Sequence, residues 1–286
     1  GETYAYREAG DSSNSKVLIC LHGGFESSKA FVHMFPLLSE FFSVIAVDSR
    51  GHGDSFYNNE VDNYDEHMED IKAFCDVLDI KKAYFIGRAV GGGIALKLAA
   101  NYPEYVEGII LHTAIGVKGT TCWKTDESGK DTTVRANTKE DCLNHPHSIM
   151  LRDVVEKKNG ALITMLLEKR YYLGKAKPTP EQLQEKVNDY FVCKCSHNFT
   201  SMANFFNISN EHNGAIEGTG EILKVKCPVL ILHGEKSVIV PVEEAKMTKQ
   251  WLGDLAELKI FPEAAHLVSD DCPEEVCDSI KQFCHV

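Results

Sequence analysis

Hydrophobic positions along this chain form short apolar runs that are separated by longer segments with helical periodicity. Four runs in the first part of the chain predict buried strands, at residues 16–20, 43–47, 83–87 and 108–112. Residues 64–78 carry their apolar side chains at helical spacing, and residues 94–101 predict a second helix. Strands that alternate with helices are typical of a parallel sheet wrapped by helices.

This alternation stops near Val117 and resumes with a strand at 228–233, a helix at 242–252, a strand at 258–261 and a helix at 273–283. The residues between, 117–223, are polar and helix-like, and a structureless loop of that length would be unusual. We therefore predict one α/β core made of residues 1–116 and 224–286, with a helical cap inserted at 117–223. Ligands of open α/β sheets bind beyond the carboxyl ends of the strands, so a cap there would cover a pocket.

Charge and composition narrow the classes of partner. The 286 residues carry a formal net charge of −12, which argues against nucleic acid and against an anionic membrane surface as partners. No apolar run is long enough to cross a bilayer and no signal peptide is recognisable, so we expect a cytoplasmic protein. Glycosylation sequons at Asn198 and Asn207 keep a secreted origin as the alternative.

Ten cysteines are many for a chain of this length. Several lie inside apolar runs, where a thiol behaves as a small buried hydrophobe. Two groups could instead form disulfides or bind a metal: Cys193-Lys194-Cys195, and the trio Cys272, Cys277 and Cys284. No CxxC pair has zinc-finger spacing, so the pattern favours free thiols, and we predict no metal and no cofactor.

Two glycine-containing stretches follow the first two buried strands. In His22-Gly23-Gly24-Phe25 the glycines would let backbone N–H groups approach a developing oxyanion, although a tight turn alone also explains them. The stretch from Asp48 to Ser55, Asp48-Ser49-Arg50-Gly51-His52-Gly53-Asp54-Ser55, is best explained as a loop of fixed geometry, and we assign it no catalytic role.

The third motif lies between a predicted strand and a predicted helix. Gly87-Arg88-Ala89-Val90-Gly91 has the frame of a nucleophile elbow, G-x-S-x-G, in which a strained turn presents a serine. Both glycines are in place, but the serine position holds Ala89. A methyl group has no atom able to attack a carbonyl.

Near the end of the chain, His266 lies where the base of a Ser-His-acid triad is expected, after the last strand. The orienting acid should follow the strand at 228–233, but the corresponding position is Ser237. Glu235 is close in sequence, with a spacing that differs by two residues. The loop 113–116, Thr-Ala-Ile-Gly, offers no carboxylate either.

Together these motifs resemble the α/β-hydrolase superfamily, in its small capped branch of esterases, carbon–carbon-bond hydrolases and lactonases. The resemblance covers nearly the whole chain and is weakest in the cap. It implies an α/β-hydrolase fold: a mostly parallel twisted sheet flanked by helices, with an inserted helical cap. It also implies His266 as base, Ala89 at the nucleophile position and Ser237 at the acid position. The implied oxyanion donors are the N–H groups of Gly24 or Phe25 and of Val90, and His22 and Arg88 are expected near the pocket.

Three interpretations of function remain open. The first is a hydrolase of a small ester, lactone or activated C–C substrate that is inactive because a serine at position 89 was changed to alanine. Losing such a nucleophile costs on the order of 10⁶ in kcat, and losing the acid roughly 10⁴. The second is a natural non-hydrolytic member that binds a small molecule, or a protein partner, in the capped pocket. The third is proton-transfer or lyase chemistry with His266 as base and no covalent intermediate.

Overall fold

A computed structural model describes residues 2–11 and 13–286. Its strands are β1 (Tyr6–Ala9), β2 (Val17–Leu21), β3 (Ser43–Val47), β4 (Ala83–Arg88), β5 (Val106–His112), β6 (Trp123–Thr125), β7 (Asp131–Arg135), β8 (Val229–Gly234) and β9 (Ala256–Phe261). Seven of them form one sheet in the order β1-β3-β2-β4-β5-β8-β9, in which only the β1–β3 pair is antiparallel. The predicted mostly parallel α/β sheet is confirmed.

Helices cover both faces of this sheet. The α-helices are α1 (Phe35–Leu38), α2 (Tyr64–Val77), α3 (Val90–Asn101), α4 (Lys139–Leu143), α5 (Pro146–Glu156), α6 (Gly160–Leu166), α7 (Pro180–Val192), α8 (Phe199–Asn204), α9 (Val242–Leu252), α10 (Val268–Asp271) and α11 (Pro273–Phe283). Within the described residues, none of these helices has the length and apolar character needed to span a membrane.

The central strand β2 is apolar at every position because helices cover both of its faces. In β2, Ile19 and Leu21 join the cluster under α2 and α3, whereas Leu18 and Cys20 join the cluster under α11. All four side chains are at most 2% exposed. This two-sided burial explains why the strands appear in the sequence as continuous hydrophobic runs rather than as alternating ones.

Helix α3 begins four residues before the helix that the sequence predicts at 94–101. Its first turn contains three glycines, which are weak helix formers and obscured the start. They are required by packing: a Cβ on Gly91 would lie 2.3 Å from the carbonyl oxygen of Leu21, and one on Gly92 would lie 2.3 Å from Cβ of Ala114. The glycines therefore let α3 sit directly against the sheet.

Between β5 and β8 the chain leaves the sheet and forms a separate layer of structure, here called the inserted segment (residues 117–223). It contains α4–α8 and also an antiparallel hairpin, β6–β7, that a purely helical expectation did not include. The hairpin turns at Asp126, whose carboxylate accepts hydrogen bonds from the N–H groups of Ser128 and Lys130. Its strands are short and mostly exposed, so they lack the apolar runs that mark the core strands.

The inserted segment packs against loops of the core through its own apolar cluster. Ile163, Leu167 and Val187 from α6, the turn after it and α7 are buried together with Phe25 and Leu267 from the core. Phe25 and Leu267 lie beside the carboxyl ends of β2 and β9 respectively. The inserted segment is therefore held over that edge of the sheet.

Candidate active site

The turn between β4 and α3 has the strained backbone of an elbow. Ala89, at its apex, has φ 46° and ψ −113°, a region that residues other than glycine rarely adopt. Its N–H donates to the carbonyl of His112, and its own carbonyl accepts from the N–H groups of Gly92 and Ile115. A Cβ on Gly87 would lie 2.4 Å from the carbonyl oxygen of Gly91, so the reversal requires glycine there. Ala89 lines a cavity that borders the turn.

His266 follows β9 and lines the same cavity as Ala89. Its Nδ1 lies 3.3 Å from Oγ of Ser237, in the loop after β8. Oγ of Ser237 also accepts a hydrogen bond from the N–H of Val240. The structure therefore brings the three predicted triad positions to one end of the sheet, with a hydroxyl group beside the imidazole.

The environment of His266 keeps its imidazole neutral. Burial lowers its pKa to about 3, because the charged form would be desolvated, and the positive charge of Arg88 adds to this. The negative charge of Glu26 opposes the shift only in part. A carboxylate at position 237 would stabilise the imidazolium form, whereas a serine hydroxyl provides no charge.

Glu235 does not take the place of the missing acid. Its side chain is exposed, and its backbone N–H donates to the carbonyl of Phe261. Glu235 precedes Ser237 by two residues, and only Ser237 of the two is buried beside His266.

The predicted oxyanion turn borders the cavity beside Ala89. Gly24, Phe25 and Val90 all line it. Val90 is the first residue of α3, so its N–H has no partner within the helix, and it lies at the positive end of the helix dipole. Phe25 has φ 58°, and its ring stacks on Tyr190 of α7 with the centroids 4.4 Å apart.

A buried ion pair next to this turn was missed by the sequence analysis. Nη1 of Arg88 lies 3.1 Å from Oε1 of Glu26, and the N–H of Gly23 donates to Oε2 of the same carboxylate at 3.0 Å. Arg88 is fully buried and also donates to Oγ of Ser269. Burial alone would raise the pKa of Glu26, but the charges of Arg88 and Lys186 and the hydrogen bond from the N–H of Gly23 together outweigh it, and the pKa falls to about 2. The sequence signal that could have revealed this pair was Arg88, directly after a predicted buried strand. A buried guanidinium requires a counter-ion.

Glu26 faces the space in which a nucleophile would act. A Cβ on Gly23 would lie 2.9 Å from Oε2 of Glu26 and 3.4 Å from Cβ of Ala89, so the carboxylate and the methyl group border the same small volume. Glu26 lines the cavity as well. A fixed negative charge is therefore present beside the N–H groups that would bind an oxyanion.

His22 and Arg88 do not line this cavity, contrary to the expectation that both lie in the pocket. Nδ1 of His22 donates to the carbonyl of Gly23 at 2.7 Å, and its Nε2 accepts from the N–H of Ser49 at 3.0 Å. The ring is thus used to hold two loops together. Arg88 reaches the cavity only through Glu26, because its guanidinium is directed into the core against the ring of Phe31.

The cavity has a volume of about 510 Å³, within the range of small-molecule sites. Aromatic side chains of the inserted segment form much of its wall: Trp123, Tyr171, Tyr190 and Phe199. Tyr171 meets the ring of His266 edge-on, with centroids 5.3 Å apart. Phe206 of the same segment is instead buried in the hydrophobic core.

Charged groups on the cavity wall are paired with one exception. Glu26 pairs with Arg88, and Asp131 lies 2.8 Å from Nε2 of His145. Arg170 also lines the cavity, and no carboxylate in the described part of the chain forms an ion pair with it. The wall therefore carries one cation without a counter-ion.

Comparison with known proteins agrees with this architecture. A family model described as the alpha/beta hydrolase fold matches residues 16–273. The chain therefore belongs to the alpha/beta hydrolase fold family.

Individual relatives in this family have different names. Human epoxide hydrolase 4 is 25% identical over 99% of this chain and 76% of its own length. A Haemophilus influenzae protein provisionally named esterase/lipase is 33% identical, over only 38% of this chain and 37% of its own length.

Solved structures show the same fold at low identity. The esterase from Exiguobacterium antarcticum superposes with a TM-score of 0.71 at 22% identity, covering 100% of this chain and 96% of that one. The enol-lactonase from Burkholderia xenovorans LB400 has a TM-score of 0.73 at 16% identity, covering 99% and 96%. These likenesses extend over the core and the inserted segment alike.

Proposed function

We propose that this protein binds a small molecule in the cavity between the α/β core and the inserted segment, and that it does not hydrolyse it through a serine intermediate. In this proposal the inserted segment, residues 117–223, acts as a cap. The observation that carries the proposal is the pair of substitutions at one site: a methyl group at Ala89 and a hydroxyl group at Ser237, 3.3 Å from Nδ1 of His266. Nucleophile and orienting acid are both replaced, while the cavity is retained.

Glu26 supports the same conclusion independently. Acyl transfer develops negative charge at the oxyanion donors, and catalysis requires that the site favours this charge. The carboxylate of Glu26 has a pKa of about 2 and borders the volume next to Ala89. Arg88 balances this charge, but only Glu26 lines the cavity, so the carboxylate disfavours an oxyanion in the volume next to Ala89 and makes the site less suited to acyl transfer.

The cavity wall indicates the chemical class of the ligand. Aromatic rings favour an apolar or aromatic body, and the unpaired Arg170 favours a carboxylate, which a guanidinium binds through two parallel hydrogen bonds. His147, on the same wall, is held neutral because burial lowers its pKa, and the charge of Arg170 adds to this. We infer a small carboxylic acid with an apolar body.

Calorimetric titration with phenylbutyrate and with its neutral amide, phenylbutanamide, tests the ligand class. We expect the acid to bind about tenfold more tightly than the amide, and Arg170→Ala to remove the difference, since a hydrogen bond to a charged group contributes about 1.5–3 kcal/mol. Arg152→Ala is the matched control, because Arg152 does not line the cavity. Equal affinity of the two compounds for the unaltered chain, or binding of neither, would contradict the proposed ligand.

A second candidate is a hydrolase disabled by a single change of serine to alanine at position 89. The strained backbone of the turn favours this candidate. A φ of 46° costs free energy at Ala89, and alanine has no functional group that the strained conformation would present. His266 also keeps its place on the cavity wall. This candidate leaves Ser237 unexplained.

Proton-transfer or lyase chemistry by His266 is less well supported. A general base works best with a pKa near the working pH. Burial lowers the pKa of His266 to about 3, which makes it a weak base.

A further inference from the structure

Away from Ala89, two cysteines of the inserted segment meet a histidine of the core. Cys193 and Cys195 directly follow α7, and His52 lies in the loop after β3. All three are buried, with 4%, 0% and 3% of their surface exposed. Their candidate ligand atoms lie within 4.8 Å of one another.

The spacing of these atoms matches a tetrahedral metal site. Sγ of Cys193 lies 3.9 Å from Sγ of Cys195, and Sγ of Cys195 lies 3.8 Å from both ring nitrogens of His52. With Zn–S bonds of about 2.3 Å and Zn–N bonds of about 2.0–2.1 Å, tetrahedral geometry places two sulfurs about 3.8 Å apart and a sulfur and a nitrogen about 3.6 Å apart. Two of the three ligand pairs therefore already lie close to the distances that a bound ion would impose, and the third pair, Cys193 and His52, lies within 4.8 Å.

The histidine is oriented as a metal ligand usually is. Nδ1 of His52 lies 3.1 Å from the carbonyl oxygen of Arg50, so an N–H at Nδ1 donates to that carbonyl. This hydrogen bond selects the tautomer in which Nε2 keeps its lone pair. A backbone carbonyl that binds the second ring nitrogen is the common support of metal-bound histidines.

The two loops are fixed to each other by the backbone. The N–H of Lys194, between the two cysteines, donates to the carbonyl of Gly51 at 2.9 Å. Gly51 has φ 77°, and a Cβ there would lie 2.8 Å from the ring of Tyr57 and 3.4 Å from Sγ of Cys195. The close approach of the Cys-Lys-Cys turn to the His52 loop thus depends on a glycine at this position.

We propose that His52, Cys193 and Cys195 bind one Zn²⁺ ion and thereby fasten the inserted segment to the α/β core. Binding would release the two thiol protons and form two zinc–thiolate bonds and one zinc–imidazole bond, with no change of oxidation state, and a water molecule would complete the tetrahedron. The sequence analysis predicted no metal because no CxxC pair has zinc-finger spacing. The third ligand lies 143 residues away and is visible only in the fold.

The position of this site links it to the cavity wall. Phe199 contacts both the ring of His52 and the ring of Phe25, at 5.5 Å and 4.7 Å between centroids. Phe25 in turn stacks on Tyr190, near the end of α7. An ion that holds the residues after α7 would therefore keep the aromatic wall of the cavity in place. The site does not depend on what the cavity binds.

Metal content tests the proposal on the full chain. The protein is purified under reducing conditions, treated with a chelator, titrated with ZnCl₂, and freed of excess metal before elemental analysis. We expect about one zinc ion per chain. Titration with CoCl₂ should give the intense visible bands of a tetrahedral site together with a thiolate-to-cobalt charge-transfer band.

Single substitutions locate the ion. Cys193→Ser, Cys195→Ser and His52→Ala should each lower the affinity for Zn²⁺ at least tenfold to a hundredfold, and the first two should weaken the charge-transfer band. Cys272→Ser is the matched control, because Cys272 is buried outside the cluster. Hydrogen exchange of residues 180–205 should slow when Zn²⁺ is added to the unaltered chain, and not when it is added to Cys195→Ser.

Three results would overturn the proposal. The first is a folded, reduced chain that retains no metal after titration with either ion. The second is unchanged zinc affinity in the Cys195→Ser variant. The third is a Cys193–Cys195 disulfide that persists under the reducing conditions, detected by thiol counting and by the mass of the peptide that contains both cysteines.

Discussion

Oγ of Ser237 lies 3.3 Å from Nδ1 of His266, on the side of the ring where a triad carboxylate would bind. The hydroxyl is held there by the N–H of Val240. The geometry of a base and its orienting group is thus preserved without the negative charge. Because the charge is what stabilises an imidazolium, the arrangement positions His266 without activating it.

Rebuilding the triad should require both missing groups. We expect Ala89→Ser alone to raise hydrolysis of p-nitrophenyl acetate by no more than about a hundredfold, the part of the gain that does not need the orienting acid. Ala89→Ser combined with Ser237→Asp should exceed the single variant by a factor of up to about 10⁴, the contribution of the orienting acid. Initial rates with active-site titration by a fluorophosphonate give the measurement.

The control is the same pair of changes with His266→Gln added, which should abolish the gain. Full activity of the Ala89→Ser variant by itself would contradict the proposed non-hydrolytic function. It would identify the chain as a hydrolase that is inactive only because alanine replaces serine at position 89.

The protonation of His266 gives a second prediction. Its pKa of about 3, against 6.5 for a free side chain, means that the folded protein binds fewer protons at this site than the unfolded chain does. The site therefore favours folding fully above pH 6.5, and this contribution is lost as the pH falls from 6.5 toward 3. The ring resonances of His266 should not titrate between pH 7.5 and pH 5, as followed by NMR with His266→Gln used for assignment.

Ser237→Asp should reverse this behaviour. A carboxylate within hydrogen-bond distance raises the pKa of an imidazole, so we expect the resonance to titrate at a clearly higher pH in that variant. Ser237→Asn is the matched control, because it changes size without adding charge. If His266 titrates near pH 6.5 in the unaltered chain, the ring is more hydrated than the structure indicates.

The sheet was predicted well because its strands are buried on both faces. Continuous apolar runs in β2, β3, β4, β5 and β8 leave little ambiguity in type or order. β1 was not predicted, because this edge strand alternates between exposed and half-buried residues and its sequence, Tyr-Arg-Glu-Ala, is largely polar. The β6–β7 hairpin was missed for the same reason.

Only those residues of the candidate site that occupy a fixed place in the order of strands along the chain were predicted. Ala89, Ser237 and His266 each follow a core strand, so their positions could be read from the sequence, and the structure brings them together. Their roles remain predictions. The Glu26–Arg88 pair joins residues 62 positions apart. Sequence periodicity gives no sign of such a contact, since it depends on how the loop after β2 packs against the end of β4.

The backbone strain at Ala89 leads to a prediction about stability. With φ 46° and ψ −113°, the residue adopts a conformation that costs of the order of 1–3 kcal/mol for a residue other than glycine. Glycine avoids this cost but loses about 0.5–1 kcal/mol through its greater freedom in the unfolded chain. We expect Ala89→Gly to raise the free energy of unfolding by about 1 kcal/mol, measured by urea denaturation.

Ala95→Gly provides the comparison. Ala95 is fully buried in the regular part of α3, where glycine relieves no strain and costs about 1 kcal/mol. The two substitutions should therefore change the free energy of unfolding in opposite directions. Equal destabilisation by Ala89→Gly and Ala95→Gly would mean that the backbone at residue 89 is not strained.

The buried ion pair of Glu26 and Arg88 makes the last prediction. Removing Arg88 leaves the largely buried carboxylate of Glu26 without its counter-ion, so Arg88→Met should destabilise the fold by about 3–5 kcal/mol. Glu26→Gln should cost less, since Oδ2 of Asp270 lies 3.8 Å from Nη2 of Arg88 and still balances the buried guanidinium. The double variant Glu26→Gln, Arg88→Met should cost less than the sum, because the charge of Glu26 is removed together with its counter-ion and only the partly exposed Asp270 loses a partner. Urea denaturation of the four proteins gives the coupling energy of the pair.

The same pair should make stability depend on pH. The pKa of Glu26 falls from 4.5 to about 2 on folding, so its contribution is complete above pH 4.5 and is lost as the pH falls toward 2. The unaltered chain should therefore lose about 3 kcal/mol more than the double variant across that interval, since each pKa unit corresponds to about 1.4 kcal/mol. Additive effects of the two single substitutions, with no difference in pH dependence, would show that the charges at Glu26 and Arg88 stabilise the fold independently.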